Sequence, residues 1–323
     1  MAEGRRAERM AGQRGVALIT ALLITAVVAI LATSMSSRFS IDLRRTGNVL
    51  ERQQAGLLAD GAARFAGRVL RQDARQSEVD HAGEGWARPL PPMEVAGGTV
   101  SGRIRDAQGR FNLNNLTAPN GAPSDGDIAY FRRLLDYLEL DPAIAGAAVD
   151  WVDTDDRPQP RGGAEDSYYT GLTQPYRTAG RPFFSASELR LVRGVDDATW
   201  RVLEPLVIAL PRRTRVNINT AEPALLAAIA PTVGETGAQE LVAAREESGF
   251  AELEAAAAEP ALATALDRDP DLEEWFLQGF GVTSDHFLVE ARGDVGRRRV
   301  TLFSLLQRTG NGIRTIQQAQ GAF

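Results

Sequence analysis

A chain of 323 residues with 44% hydrophobic composition can bury a sizeable core and is long enough to divide into two domains. The absence of cysteine excludes disulfides, thiolate catalysis and zinc–thiolate sites. The net charge of -6 is mild and all 36 basic residues are Arg, but the charge is unevenly spread along the chain.

The first element lies in GQRGVALITALLITAVVAILATSMSSR, Gly12 to Arg38. Its apolar run from Val16 to about Met35 approaches the ~20 residues a helix needs to cross a bilayer core, and is longer than a typical signal-peptide core. Arg5, Arg6, Arg9 and Arg14 outweigh Glu3 and Glu8 ahead of the run, which predicts a single pass with a cytoplasmic N-terminus. No small-residue cleavage site follows, so the run is expected to stay in the working protein.

No proline occurs between Met35 and Pro89. Leu43, Leu50 and Leu57 recur at seven, and Leu58, Ala62, Phe65 and Val69 at four, three and four, a spacing that predicts an apolar helix face. A continuous helix from Val16 to about Arg75 would be roughly 90 Å long. Gly47, Gly56, Gly61 and Gly67 weaken it by ~1 kcal/mol each relative to Ala.

Strand patterns follow. TVSGRIRD and RFNLNNL flank Gly109 and predict a hairpin, and HFLVEARGDVGRRRVTLFSLLQR predicts a second hairpin turning between Gly293 and Gly296. One sheet could thus be assembled from segments far apart in the chain. Residues 120–279 between them carry helical spacing with Asp, Ser or Thr starts, in DIAYFRRLLDYLEL, DPAIAGAAVDWVD, SASELRLVRGV, DATWRVLEPLVIAL, EPALLAAIA and AQELVAAREE. They hold 28 acidic and 14 basic residues.

A weak repeat is visible there. GRFNLNNLTAP and TRVNINTAEP both place Asn at alternate positions of a short strand before a helix start. The sequence after the second copy resembles helix-hairpin-helix units that grip nucleic-acid phosphates. The candidate turns in the insertion, PTVGE and RGVDD, are acidic where phosphate binding favours cations, so the unit is expected to serve packing and no nucleic-acid partner is expected. A membrane-anchored DNA-binding or DNA-uptake protein is the alternative.

The densest polar cluster is DWVDTDDRPQPRGGAEDSYYTG, Asp150 to Gly171. Hard oxygen ligands on a Pro/Gly-containing loop suit Ca²⁺, and the candidates are Asp150, Asp153, Asp155, Asp156, Glu165 and Asp166. EF-hand spacing is absent. A solvated acidic loop is the plain alternative, and paired acids for hydrolysis a third. Crowding opposes the solvated loop, because carboxylates this dense repel one another if packed without a counter-ion. His81 and His286 are far apart and suggest no triad. Nucleophile-elbow, Walker and dinucleotide motifs are missing, so no enzyme is expected.

A basic leader ending in Gly15, followed by a retained apolar helix, resembles the type IV prepilin family. The resemblance implies cleavage after Gly15 by a prepilin peptidase, with Val16 as the first mature residue. The family's glutamate at mature position five is replaced by Thr20. That glutamate pairs with the terminal amine of the preceding subunit, so a chain without it fits a position with no subunit ahead.

The non-acidic fifth position, the acidic helical insertion, and the segments AVDWVDTDD, GAEDSYY, FFSASELRLVRGV and VNINTA together resemble the K-type minor pseudopilins of type II secretion. The likeness runs from Gly15 to Arg308. It implies calcium in the acidic loop as a structural cofactor. It also implies the I-type and J-type minor pseudopilins and the major pseudopilin as partners, an inner-membrane location, and a place at the pseudopilus tip.

The expected fold class is α+β, with a long N-terminal helix packed on a small antiparallel sheet and a large all-α insertion containing helix-hairpin-helix-like units. The expected segments are a leader at 1–15, the long helix at 16–75 with its span at 16–35, and the first part of the sheet at 76–119. The insertion follows at 120–279, then the C-terminal hairpin at 280–308 and a flexible tail at 309–323.

Overall fold

The computed structural model describes residues 4–246 and 248–321, with side chains from Val16 onward. The side-chain surroundings of the leader through Gly15 lie outside the described residues. One helix, α1, runs unbroken over Gly4–Asp73, and Gly47, Gly56, Gly61 and Gly67 do not interrupt it.

A five-stranded antiparallel sheet lies against the second half of α1. Its strands are β1 (Leu90–Val95), β2 (Gly98–Asp106), β7 (His286–Val295), β8 (Arg298–Thr309) and β9 (Gly312–Gln320), in that spatial order. The helix face that meets the sheet is Ala55, Ala59, Ala63, Ala66 and Leu70, all buried at helical spacing. Small side chains there let the backbones come close. Gly293 sets the limit, since a Cβ on it would lie 2.1 Å from the Ala55 carbonyl oxygen. Trp86 closes this core edge-on to Phe287, with ring centroids 5.2 Å apart.

Two sequence expectations are corrected here. RFNLNNL does not pair with TVSGRIRD. The first hairpin is β1–β2, turning at Gly97 where φ is +90°, and RFNLNNL begins the insertion. The segment 309–323 is not a loose tail throughout, because β9 pairs with β8 from Leu302↔Gln320 to Thr309↔Gly312; Ala322 and Phe323 lie outside the described residues. The row Leu43, Leu50 and Leu57 does not face the core; these side chains are 57, 59 and 73% exposed.

The insertion occupies residues 107–285, between β2 and β7. Its helices are α2 (Asp125–Tyr137), α3 (Ala143–Val152), α4 (Asp166–Tyr169), α5 (Asp197–Leu203), α6 (Pro223–Ala227), α7 (Gly234–Ala244), α8 (Leu253–Ala257), α9 (Pro260–Leu266) and α10 (Pro270–Gly279). It is not all-α, because two short parallel pairs cross it: β3 (Phe111–Asn112) with β4 (Val207–Ile208), and β5 (Val216–Asn217) with β6 (Phe280–Gly281).

The Asn repeat is a repeated clamp. The Asn114 side chain accepts from the Phe183 amide (2.7 Å) and donates to the Phe183 carbonyl (2.9 Å). Asn219 does the same to Phe250, at 2.7 and 3.0 Å. Each carboxamide supplies both a donor and an acceptor to a buried backbone that no strand satisfies.

The insertion is tied to the sheet by buried polar groups. The buried Asp106 carboxylate accepts from Ser284 Oγ (2.6 Å), Thr220 Oγ1 (2.6 Å) and Asn217 Nδ2 (2.9 Å). The sheet itself has two ends. The β7–β8 turn lies beside Glu51 of α1, and Arg308 at the other end lies beside Asp73. The insertion springs from the Asp73 end, away from the apolar half of α1.

Candidate metal centre

Asp150 sits in the last turn of α3, Asp153 caps that helix, and Glu165 precedes α4. The helix ends therefore converge on one point. Asp150, Asp153 and Glu165 are all buried, and each places one carboxylate oxygen within 4.8 Å of the others. Oxygens held 2.3–2.6 Å from a common Ca²⁺ have separations of that order.

The loop between them folds back over Asp150. The Gln159 amide donates to both Asp150 oxygens, at 3.1 and 3.2 Å. Gly163 makes the fold possible, because a Cβ there would meet Asp150 Oδ2 at 2.5 Å and the Gln159 nitrogen at 2.2 Å. Trp151 and Tyr169 wall the back of the site edge to face, 5.4 Å apart.

Two oxygens have no protein partner. Asp153 Oδ1 and Glu165 Oε1 are buried and accept no hydrogen bond, and no Arg within the described residues forms an ion pair with any of the three carboxylates. Burial raises all three in pKa. It brings Asp150 to about 6; with repulsion from Asp150 and Asp155 it brings Asp153 to about 7; and with repulsion from four neighbouring aspartates it brings Glu165 to about 7. A buried acceptor left without a donor is costly, and a cation would serve all three groups at once.

The other three sequence candidates do not join this group. Asp155 and Asp156 lie in the exposed bend, where Asp155 accepts from the Arg157 amide at 2.8 Å. Asp166 turns to Thr178, whose amide and hydroxyl donate at 2.9 and 3.0 Å, and to Arg177 at 3.3 Å. Sequence reasoning overlooked Gln159 and Gly163, although the GG pair in an acidic loop signals close backbone approach.

A membrane-length apolar helix laid on an antiparallel sheet, with a helical domain inserted between two strands, defines a pilin-like subunit enlarged at one end. Residues 109–212 and 216–275 match two family profiles, both described as type II secretion system (T2SS), protein K. The two stretches begin at the two copies of the Asn clamp. Type II secretion system protein K of Pseudomonas aeruginosa is 37% identical, over 96% of this chain and 93% of that one. That of Aeromonas hydrophila is 37% identical, over 92% of this chain and 93% of its own. A chain of "The Crystal Structure of the GspK-GspI-GspJ complex from enterotoxigenic Escherichia coli Type 2 Secretion System" superposes with a TM-score of 0.75 at 27% identity, over 86% of this chain and all of that one. The chain belongs to the type II secretion system protein K family, and its role is that of a minor pseudopilin.

Proposed function

We propose that this minor pseudopilin sits at the tip of the pseudopilus and initiates its assembly for export of folded proteins. It is anchored by residues 16–35 in the bacterial inner membrane, with its N-terminus cytoplasmic and its bulk periplasmic. The observation that carries this is the placement of the insertion at the end of the sheet far from the span, where a subunit stacked above would have to stand. Thr20 agrees, since its side chain offers no carboxylate to an amine of a preceding subunit. Processing after Gly15 by a prepilin peptidase would leave Val16 as the new N-terminus.

The solved relative is a complex with GspI and GspJ. Counterparts of those two, and the major pseudopilin, are the partners we assign to this chain. The exposed row Leu43, Leu50 and Leu57 gives them a surface, being apolar, outside the span and turned away from the chain's own sheet. Calcium bound by Asp150, Asp153 and Glu165 would act as a structural ion, supplying the charge that draws the ends of α3 and α4 together. The role is mechanical and needs no catalysis. An insertion with 29 acidic and 15 basic residues opposes duplex DNA.

Position is tested by labelling an epitope in the insertion and imaging assembled pseudopili. Label at one end of each filament is the expected result. Label distributed along the shaft would reject the tip assignment.

A further inference from the structure

The end of the sheet opposite the insertion is basic. The β7–β8 turn exposes Arg297, Arg298 and Arg299, and shares a cleft with Arg44 of α1, with Arg45 next to it in sequence and Arg38 nearer the span. The approach is close, for a Cβ on Gly296 would lie 3.0 Å from the Glu51 carboxylate. Arg299 is paired with Asp294 at 2.6 Å, and Arg45 with Asp42 at 3.9 Å. Within the described residues Arg38, Arg44, Arg297 and Arg298 have no ion-pair partner. The turn and α1 enclose an open cleft lined by Arg44, Asn48, Glu51, Arg297 and Arg298.

These cations lie on the same unbroken helix as the apolar run, or pack against it, so their height above a bilayer follows from helix geometry. Arg38 is three residues past Met35, about 4.5 Å, and Arg44 nine residues past it, about 14 Å. The headgroup layer itself occupies roughly the first 5–7 Å beyond the hydrocarbon. Arg38 therefore falls within it, and Arg44 lies about one Debye length, ~8 Å, above it. The hairpin turn packs beside Glu51, sixteen residues or about 24 Å past Met35, and Arg297 and Arg298 share a cleft with Arg44 on its membrane side. A tilt of about 20°, ordinary for a single span, lowers one side of the sheet further.

We propose that this basic collar docks the base of the globular part onto anionic phospholipid headgroups, drawing it down toward the membrane surface before the chain enters a filament. The inference rests on the membrane anchorage proposed above. Charge complementarity and continuity with the span favour lipid over an acidic protein surface. The acidic insertion of a second copy would stand at the far end of its own helix, out of reach.

The test uses the full chain in nanodiscs of phosphatidylcholine alone or with phosphatidylglycerol. Because the chain has no cysteine, Met93→Cys on exposed β1 gives a unique dye site near the collar, and energy transfer to a headgroup acceptor reads its height. Transfer should be more efficient in the anionic discs. The difference should vanish at ~1 M salt, where the Debye length falls to about 3 Å. It should also vanish for Arg297→Glu/Arg298→Glu and persist for Arg297→Lys/Arg298→Lys, with far-UV circular dichroism confirming that each variant folds.

Equal transfer in both lipids for an inserted, folded chain overturns the collar and leaves the anchorage standing. A chain that fails to enter either disc overturns the anchorage and the collar together. Lipid-independent transfer, combined with lost binding of another pseudopilin by the Glu variant alone, overturns the lipid assignment in favour of a protein partner.

Discussion

Two groups of three carboxylates are built to the same dimensions and resolved in opposite ways. Asp73, Asp80 and Glu84 bring oxygens within 4.8 Å of one another at the junction of α1, the sheet and the insertion, as Asp150, Asp153 and Glu165 do inside the insertion. The first group contains its own cation. Arg308 reaches Asp80 at 2.9 Å and Asp73 at 3.2 Å while lying over the Phe287 ring, and Glu84 is taken up by the Trp86 indole at 2.7 Å and the His81 amide at 3.0 Å. The second group has no such partner within the described residues. Crowded buried carboxylates need a counter-charge; one site has it covalently, in the chain, and at the other the proposed calcium would supply it.

The largest expected effect comes from removing the covalent cation. Arg308→Met should destabilise the folded chain by about 3–5 kcal/mol, because it strands buried carboxylates. Burial already raises Asp80 to about 6 with Arg308 pulling it down, so loss of Arg308 should push it higher. Denaturant melts check this, and added calcium should restore little, since Met would fill the position the guanidinium holds. Full rescue by calcium would mean that the two groups are interchangeable.

Asp153→Asn comes next and acts in opposite senses in the two conditions. With calcium, the wild-type midpoint should rise, by about 2.7 kcal/mol at a hundred times the dissociation constant, and the variant should lose most of that gain. With chelator, the variant should be at least as stable as wild type, because a buried, unpaired carboxylate has become neutral. A variant less stable than wild type under chelation would show that Asp153 works through contacts other than a cation.

These contrasts also mark what the sequence could and could not tell. The apolar run from Val16, the two Asn-bearing strands and the acidic loop follow from local chemistry and were legible as such. Which face of α1 meets the sheet was not. Leu43, Leu50 and Leu57 have the stronger pattern, yet the buried face is Ala55, Ala59, Ala63 and Ala66, because close approach to Gly293 rewards small side chains over large ones. Hydrophobic periodicity marks an apolar face without saying whether the chain or a partner covers it. Within the acidic loop, spacing could not separate Glu165 from Asp166, adjacent residues whose side chains diverge at the start of α4. Arg308 escaped notice because its partners lie 228 and 235 residues away.

A smaller effect, readable in one sample, is the pH dependence of calcium stabilisation. Asp153 and Glu165 are held at about 7 and Asp150 at about 6, above the ~4 of carboxyls in an unfolded chain. Without calcium the folded state then binds more protons than the unfolded one between about pH 4 and 7, so this site's contribution to stability falls as pH rises through that window. Calcium competes with the same protons. The midpoint shift it causes should be small at about pH 5 and large at about pH 8, in paired melts with calcium and with chelator. Raised pKa values at Asp80 and Asp106 enter both melts equally and cancel in the difference. A shift independent of pH would place the ion away from these three groups.

The smallest effect is expected at Thr20, and it extends the same rule to the membrane. The Thr20 hydroxyl donates to the Val16 carbonyl at 2.8 Å, so its polar group is satisfied within its own helix and asks nothing of a neighbour. Thr20→Val removes donor and hydroxyl together and should leave secretion, measured as exported protein in the culture medium, close to wild type. Thr20→Glu puts a carboxylate where lipid offers no counter-charge, which is costly unless an amine from another subunit arrives. A chain at the tip has no subunit ahead to supply one. Thr20→Glu should therefore either be carried protonated with little effect, or move the subunit to positions within the filament where an amine is available. Enhanced secretion by Thr20→Glu, with the subunit found only at filament ends, would contradict the link drawn here between an uncharged fifth position and the tip.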